Sequence, residues 1–399
     1  MNIVLFTEIF DCGGIDTFII NLVSNWPNKI DKFILISNED YPGLQIIKRE
    51  LNDKIEYKKY TLSSYLKPYK KSTLLEKALF PILKYFKFFY NIFAVKYLLE
   101  KKEYDFLMII NGGYPGGDMC RSAAVSWGLF RKDKPKSIHN FHNLVVTPPY
   151  YLLLQELLVD KLVSSSTSNF TTVSIASRNS MKNRPHLNST DIKYIYNGIS
   201  NLRTPKVMNL RNELNFEKNI KICLMLATYE ERKGHFFLLN AFKLVFKENP
   251  NVRLILCGYG SDNEIKSVKK YINDLGLSSC VYTFNFRNDK ANLISNSDLV
   301  LISSQEYESF GLTAIEAMSL KKPIVSTDVG GLPEVIGEGF GGFCVSKNDY
   351  KTFSKKVLLL LSDNHLYNTM AKNGYNRYLS HFTSDKMSKL YKENIYSCI

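Results

Sequence analysis

The sequence predicts an α/β protein with two doubly wound parallel sheets in tandem. Short β-rich apolar runs alternate with amphipathic helical stretches, and the alternation restarts after Asn197-Gly198. The 399 residues also exceed what one hydrophobic core usually supports. We therefore expect a first domain at 1–200, a second at 201–380 and a terminal segment at 381–399, with ligand bound in a cleft at the carboxyl ends of the strands.

Nine runs have the length and residue content of buried strands. Those in the first half are residues 3–7, 32–37, 106–110, 136–139 and 171–174. Those in the second half are residues 221–226, 252–258, 298–303 and 322–327. The stretches between them have apolar residues at helical spacing, so each half is expected to be a Rossmann-like unit.

The composition is that of a globular protein, with 45% apolar and 23% charged residues. Seven cysteines stand singly without a CxxC pair, which favours a reducing compartment and argues against a disulfide framework or a zinc site. The short apolar run at the start has no basic region ahead of it, unlike a signal peptide. We expect a cytoplasmic protein.

A basic and aromatic segment stands out within a chain of net charge +14. From Lys48 to Tyr104 there are 14 Lys/Arg against 6 Asp/Glu. Two interpretations stay open: a helix with a solvated basic face, or a peripheral contact with an anionic membrane surface. Nucleic acid is not favoured because no recognition motif accompanies the charge.

The stretch ESFGLTAIE, residues 308–316, follows the predicted strand 298–303 and begins a helix near Gly311. The backbone amides of Phe310, Gly311 and Leu312 would suit a phosphate or diphosphate at this helix start. Carboxylates accept hydrogen bonds, so Glu316 suits ribose hydroxyls and Glu308 suits the hydroxyls of an attached sugar. The arrangement predicts a nucleotide-sugar site.

The longer run ESFGLTAIEAMSLKKPIVSTDVGGLPEVI resembles the signature of retaining glycosyltransferases of the GT-B fold, family 4. The resemblance extends over nearly the whole chain. It implies two tandem Rossmann-like domains with an interdomain cleft: the first binds the acceptor, the second binds the donor, and a terminal helix crosses back to the first. It also implies no cofactor beyond the nucleotide-sugar co-substrate and no metal.

In the first domain, the resemblance implies that Gly13 and Gly14 lie against the donor diphosphate. In KSIHNFHNL, His139 matches the histidine that contacts the transferring sugar, and His142 is the second candidate, assigned to the acceptor. Gly113 and Tyr114, in a glycine-rich loop after a strand, are expected to shape the acceptor pocket, although a plain turn is equally compatible with that loop.

In the second domain, Lys233 matches the family lysine that stabilises the leaving group, and Glu308 joins it as a catalytic residue. Thr228 stands where the family has an arginine, so either Arg232 compensates, or Lys233 and the helix amides suffice. The nucleoside is expected to contact three further residues. These are Gly258, Phe284 and Arg287.

The predicted function is transfer of a sugar, with retention, from a nucleotide sugar to the hydroxyl of a saccharide or lipid-linked saccharide. UDP is favoured, GDP stays open, and bacterial surface polysaccharide synthesis is the expected setting. Two alternatives remain: a non-catalytic nucleotide-sugar-binding or scaffold protein, which the loss of charge at Thr228 favours, and a GT-B nucleotide-sugar epimerase.

Overall fold

Each half of the chain folds around its own parallel sheet. The structure is a computed structural model that describes residues 1–11, 13–62, 74–187, 191–202 and 210–399. Its contacts divide the chain into two units. Unit 1 comprises Met1–Gly198 and Ser384–Ile399, and unit 2 comprises Ile199–Thr383.

In the described part of unit 1, seven parallel strands lie in the order β3-β2-β1-β4-β5-β6-β7. The strands are β1 Asn2–Thr7, β2 Lys32–Asn38, β3 Ile55–Tyr60, β4 Phe106–Asn111, β5 Ser137–Phe141, β6 Thr167–Thr172 and β7 Asp191–Tyr194. The helices are α1 Gly14–Ser24, α2 Leu44–Leu51, α3 Leu74–Leu99, α4 Asp118–Phe130, α5 Leu153–Ser165, α6 Ile175–Ser180 and, from the end of the chain, α15 Ser384–Tyr396. Helices cover both faces: Ile3 and Leu5 of β1 pack in one core cluster, while Val4 and Phe6 pack in another. Such strands read as continuous apolar runs because both faces are buried.

Unit 2 repeats this plan with six parallel strands in the order β10-β9-β8-β11-β12-β13 over its described residues. The strands are β8 Lys221–Leu226, β9 Val252–Cys257, β10 Val281–Phe284, β11 Leu299–Ile302, β12 Ile324–Thr327 and β13 Gly342–Val345. The helices are α7 Leu210–Glu213, α8 His235–Glu248, α9 Asp262–Asp274, α10 Lys290–Asn296, α11 Leu312–Ser319, α12 Leu332–Ile336, α13 Tyr350–Ser362 and α14 Asn364–His381. The predicted pair of doubly wound α/β sheets is therefore confirmed.

Four strands, β3, β7, β10 and β13, lie outside the predicted runs, and each stands at the edge of its sheet. β3 has the sequence IEYKKY, with exposed Glu56 and Lys59 between buried ends. An edge strand has a neighbour on one side only, and charged residues there discourage pairing with other chains. β3 and β7 therefore lack the continuous apolar run by which the central strands are recognised, and β10 and β13 are only four residues long. The predicted strand 171–174 is also displaced, since β6 spans Thr167–Thr172.

The basic and aromatic segment from Lys48 to Tyr104 contains the end of α2, strand β3 and the 26-residue helix α3, and its residues 63–73 lie outside the described residues. None of the helices in the described parts of the chain combines the length and the apolarity needed to cross a membrane.

Candidate active site

The carboxyl ends of β8 and β11 mark the ligand-binding edge of unit 2. These strands are neighbours, yet β9 extends the sheet on one side and β12 on the other. At such a reversal the following loops diverge and leave a crevice. Residues 227–234 follow β8 and residues 303–311 follow β11, so the two predicted motifs meet at this edge.

Lys233 and Glu308 form an ion pair there, although 75 positions separate them. Nζ of Lys233 lies 2.5 Å from Oε2 of Glu308, and both side chains retain about one sixth of their exposure, 17% and 16%. The Ser304 hydroxyl donates to the same carboxylate oxygen at 3.3 Å, and the Ser303 hydroxyl donates to the Lys233 carbonyl at 2.8 Å. The loop after β11 therefore fixes both the lysine and the glutamate.

Two glycines let neighbouring loops approach this backbone closely. Gly234 has φ 74°, and a Cβ there would lie 2.0 Å from the Ser303 carbonyl oxygen. Gly330 has φ 60°, and its Cβ would lie 2.0 Å from the Glu308 carbonyl oxygen. The amide of Gly331 donates to that same oxygen at 2.8 Å. The Gly-Gly turn thus acts by holding the backbone of Glu308 in place.

Helix α11 begins at Gly311, whose left-handed backbone has φ 92°. The amides of Leu312 and Thr313 have no carbonyl partner within the helix, because they belong to its first turn. Gly311 has no side chain that could cap them. They form the positive end of the helix dipole. The ring of Phe310 is buried and lies 5.8 Å from that of Phe382, so its predicted contribution is restricted to the backbone.

Glu316 lies one turn into α11, is buried, and forms an ion pair with Lys290 at the start of α10. A ligand hydroxyl that donates to Glu316 would therefore compete with the Lys290 ammonium. Lys290 is absent from the sequence prediction because no motif surrounds it, and only the packing of α10 beside α11 reveals it.

Thr228 and Arg232 are linked through Glu230. The Thr228 hydroxyl donates to Oε1 of Glu230 at 2.8 Å, and Nε of Arg232 lies 2.5 Å from Oε2. The guanidinium stacks 4.8 Å from the ring centre of Tyr307, one residue before Glu308. Burial opposes ionisation of Glu230, but the hydrogen bonds from Arg232 and Thr228 outweigh it and lower its pKa. Arg232 is thus held as a cation beside the Lys233 and Glu308 pair.

The three predicted nucleoside contacts have different surroundings. A Cβ on Gly258 would lie 1.8 Å from the Ala227 carbonyl oxygen, so glycine is required there by loop packing. The Phe284 carbonyl accepts from the Tyr229 hydroxyl at 3.0 Å. Arg287 is paired through all three guanidinium nitrogens, with Asp289 at 2.8 Å and with Glu213 at 2.6 and 3.1 Å. We therefore interpret Arg287 as a structural clamp and leave it out of the proposed donor site.

In unit 1, Gly13 and Gly14 form the turn before α1. The Gly13 amide donates to the Asp16 carboxylate at 2.9 Å, and the Tyr41 hydroxyl donates to the other oxygen of that carboxylate. Burial raises the pKa of Asp16 against the effect of these hydrogen bonds. Asp16 therefore shapes the turn, a role that a lone aspartate does not reveal in sequence. The diphosphate contact of the two glycines stays a prediction.

The two predicted histidines differ in burial, since His139 lies in the core and His142 is partly exposed. His139 lies within β5 with no exposed surface, packed between Phe141 at 4.8 Å and Phe170 at 6.1 Å between ring centres. Burial, with Arg121 adding to it, lowers the pKa of His139 to about 3. This packing argues against a direct contact between His139 and a sugar, and its catalytic role stays a prediction. The burial follows because β5 lies inside a sheet that is covered on both faces, so that all five residues of the strand are buried.

His142 follows β5 and is only partly buried. Its ring packs edge-on against Phe18 at 4.3 Å, and its Nε2 lies 2.9 Å from the Asn140 amide nitrogen. Burial lowers the pKa of His142 to about 3, so the ring is neutral near pH 7. It is therefore the histidine that stands at the ligand-binding edge of unit 1.

The glycine-rich loop after β4 packs on the loop that carries His142. Gly113 is partly buried, and a Cβ there would lie 3.3 Å from Cβ of Asn143. Tyr114 has no exposed surface, and its hydroxyl donates to Asp160 at 2.6 Å. The Tyr114 side chain therefore belongs to a buried ionic network, and its place in the acceptor pocket stays a prediction.

Comparison with known proteins concerns mainly unit 2. Residues 207–377 match the family model of glycosyl transferases group 1. This segment is therefore similar to that family. Its bounds enclose the Lys233, Glu308 and Glu316 site.

Curated relatives and solved structures that resemble this chain are also glycosyltransferases or share its fold. N-acetyl-alpha-D-glucosaminyl L-malate synthase of Bacillus anthracis is 29% identical over 208 residues, 52% of this chain and 53% of that protein. The capsular polysaccharide biosynthesis glycosyltransferase CapM of Staphylococcus aureus is 28% identical over 152 residues, 38% and 40% of the two chains. This chain thus spans about half the length, or less, of these curated relatives. The crystal structure of Anabaena HepE in complex with UDP superposes with a TM-score of 0.78 at 20% identity, covering 100% of both chains, which shows the GT-B fold.

Proposed function

We propose that this chain is a retaining family 4 glycosyltransferase that moves a sugar from a UDP-sugar to an acceptor hydroxyl. One observation carries the proposal: Lys233, Glu308, the start of α11 and Glu316 converge at the switch point of the second sheet. That edge offers fixed cations, open amides and carboxylates side by side. A glycosyl diphosphate has the complementary set of groups, anionic oxygens flanked by hydroxyls.

The donor is proposed to bind in a single orientation. Its diphosphate meets the Leu312 and Thr313 amides and Lys233, its ribose hydroxyls donate to Glu316, and its sugar hydroxyls donate to Glu308. The ion pairs of Glu316 with Lys290 and of Glu308 with Lys233 then exchange for ligand contacts. UDP is supported by the similarity to HepE, whose crystal structure is a complex with that nucleotide.

The reaction breaks the bond between the anomeric carbon and the β-phosphate oxygen and forms one to the acceptor oxygen on the same face. The departing phosphate oxygen takes the acceptor proton, so no enzyme base is required. Catalysis then consists of orientation and of stabilising the negative charge that develops on the diphosphate. Lys233, Arg232 and the helix amides supply that positive field, so we propose a reaction that uses no metal.

The acceptor is proposed to bind at unit 1, where the loop after β5 presents His142 and the loop after β4 presents Gly113. We assign to His142 the sugar contact first expected of His139. A saccharide or lipid-linked saccharide in bacterial surface polysaccharide synthesis is the proposed acceptor. The likeness to CapM, named for capsular polysaccharide biosynthesis, supports that setting.

Ligand-induced stabilisation tests the donor site first. A nucleotide present at one hundred times its dissociation constant adds about 2.7 kcal/mol to the free energy of unfolding. We expect UDP and one or more UDP-sugars to raise the melting temperature, and Glu316→Gln to weaken UDP binding. Lys269→Ala removes an exposed lysine of α9 and should bind like the wild type. Equal binding by all three proteins would contradict the assigned site.

Turnover is measured separately, by product chromatography with the UDP-sugar that binds and with mono- and oligosaccharide acceptors. Lys233→Ala should lower kcat about 100-fold or more, and NMR of the product should show the anomeric configuration of the donor. Binding without a product would favour the scaffold alternative. Conversion of the donor in the absence of an acceptor would favour the epimerase.

A further inference from the structure

One face of α3 carries a stripe of exposed apolar side chains, which we call the outer stripe. It consists of Ile82, Phe86, Phe89, Tyr90, Phe93 and Tyr97. The spacings of three and four residues place them along one side of the helix. Phe86 and Tyr97 each expose 73% of their surface, while Tyr85, Phe88 and Ile92 on the opposite side are buried. The helix is thus apolar on two faces, and the core covers only one of them.

The start of α5 adds a second group of exposed apolar residues, and we call the two groups together the apolar surface. This group consists of Val146, Tyr150, Tyr151, Leu153, Leu154 and Leu158, with Tyr150 90% exposed. Glu156 joins the helices, because Nζ of Lys84 lies 3.1 Å from its carboxylate and the Tyr85 hydroxyl donates to it at 2.6 Å. Both groups are therefore fixed on one buried ionic network.

Lysines outnumber carboxylates along this surface. Residues 77–99 contain four lysines and no acidic residue, and residues 144–155 contain no charged residue. Of these lysines, Lys84 pairs with the buried Glu156, and Lys96 lies 3.9 Å from Glu100. Lys87 lies 5.7 Å from the ring centre of Tyr90, within the outer stripe, and Lys96 lies 5.1 Å from that of Phe130. An apolar surface edged by more lysines than carboxylates is complementary to an apolar layer edged by anions.

We propose that the apolar surface docks on a bilayer that contains anionic phospholipid, with α3 lying in the head-group region. Aromatic rings are well suited to that depth, and each lysine near the surface gains from the negative lipid charge. A second copy of the chain fits less well, because each copy carries a net charge of +14 and would present its own lysines. The outer stripe extends for about 22 Å along the helix, long enough to anchor one edge of unit 1.

This proposal goes beyond the transfer reaction and can be tested without it. Purified full-length protein is sedimented with vesicles of phosphatidylcholine alone or with about one third phosphatidylglycerol. We expect at least roughly tenfold more bound protein with the anionic vesicles, decreasing as NaCl is raised. Phe86→Ser/Phe93→Ser should reduce that binding by roughly tenfold or more, because it removes two exposed rings.

A matched control is available on unit 2, where Leu359 and Leu379 are exposed leucines of α13 and α14. Leu359→Ser/Leu379→Ser should bind anionic vesicles like the wild type, and both double variants should melt close to it. Equal binding to the two vesicle types, or loss of binding in the control, would overturn the proposal. The proposal would also be overturned if vesicle binding were absent and sedimentation velocity showed a dimer that the two phenylalanine substitutions dissociate. The partner of the apolar surface would then be a second copy of the chain.

Discussion

The assignment of the two histidines can be tested by replacing His139 with leucine. Leucine has a similar volume and suits the aromatic surroundings of β5, where His139 touches no solvent. Nδ1 of this histidine has no hydrogen-bond partner among the residues that the structure describes, and Nε2 lies 3.3 Å from the Asn111 amide nitrogen. The exchange therefore loses one weak contact, and near pH 7.5 we expect stability within about 1.5 kcal/mol of the wild type.

The magnitude at lower pH follows from the pKa of His139. Burial lowers it to about 3 in the folded protein, against an ordinary value near 6.5. The stability that the neutral ring contributes is thus fully present above about pH 6.5 and is lost as the pH falls toward 3. Each pH unit in that window costs about 1.4 kcal/mol, so at pH 5.0 the wild type loses about 2 kcal/mol through this residue. His139→Leu should be spared that loss.

Tryptophan fluorescence during urea unfolding measures this in unit 1 alone, because Trp26 and Trp127 are the two tryptophans of the chain and both belong to that unit. The free energy of unfolding is compared at pH 7.5 and pH 5.0. His142 titrates identically in wild type and variant, so its contribution cancels in the difference. We expect His139→Leu to retain kcat/KM within about threefold. His142→Ala should lose about 100-fold, because it removes the contact proposed to position the transferring sugar.

Two outcomes would refute this reasoning. If His139→Leu shows the same loss of stability between pH 7.5 and pH 5.0 as the wild type, the ring is not held neutral in the core. If it folds normally but loses transfer to the extent that His142→Ala does, then His139 contacts the sugar and the assignment to His142 is wrong.

Two further predictions concern charge. Glu156 receives hydrogen bonds from buried arginines, so Glu156→Gln would leave an uncompensated buried cation and should lower the free energy of unfolding, followed by tryptophan fluorescence, by about 3–5 kcal/mol. The exposed Glu50→Gln should lower it by less than about 1 kcal/mol, and equal losses would contradict a buried network. Arg232→Ala should lower kcat by about tenfold or more, and adding Thr228→Arg to that variant should restore part of the lost kcat. An unchanged kcat in Arg232→Ala would show that Lys233 and the helix amides suffice.

The central strands could be predicted from sequence because a strand that is buried on both faces has a continuous run of apolar residues. The edge strands could not, since β3 and β7 mix charged residues with apolar ones and β10 and β13 are only four residues long. The same limit applies to the site. Glycines, a helix start and paired glutamates leave a local pattern, whereas the pairing of Lys290 with Glu316 joins residues 26 positions apart and depends on how two helices pack.

By itself, the sequence determined that the chain contains two α/β units and that residues 308–316 contain a helix start between two carboxylates. Local spacing suffices for both, because they depend on backbone geometry and on the chemistry of neighbouring residues. Tertiary structure decided which side chains are buried. It buried His139, Tyr114 and the rings of the inner face of α3, left His142 partly buried and left the outer stripe exposed, because the burial of a side chain depends on the elements that pack against it.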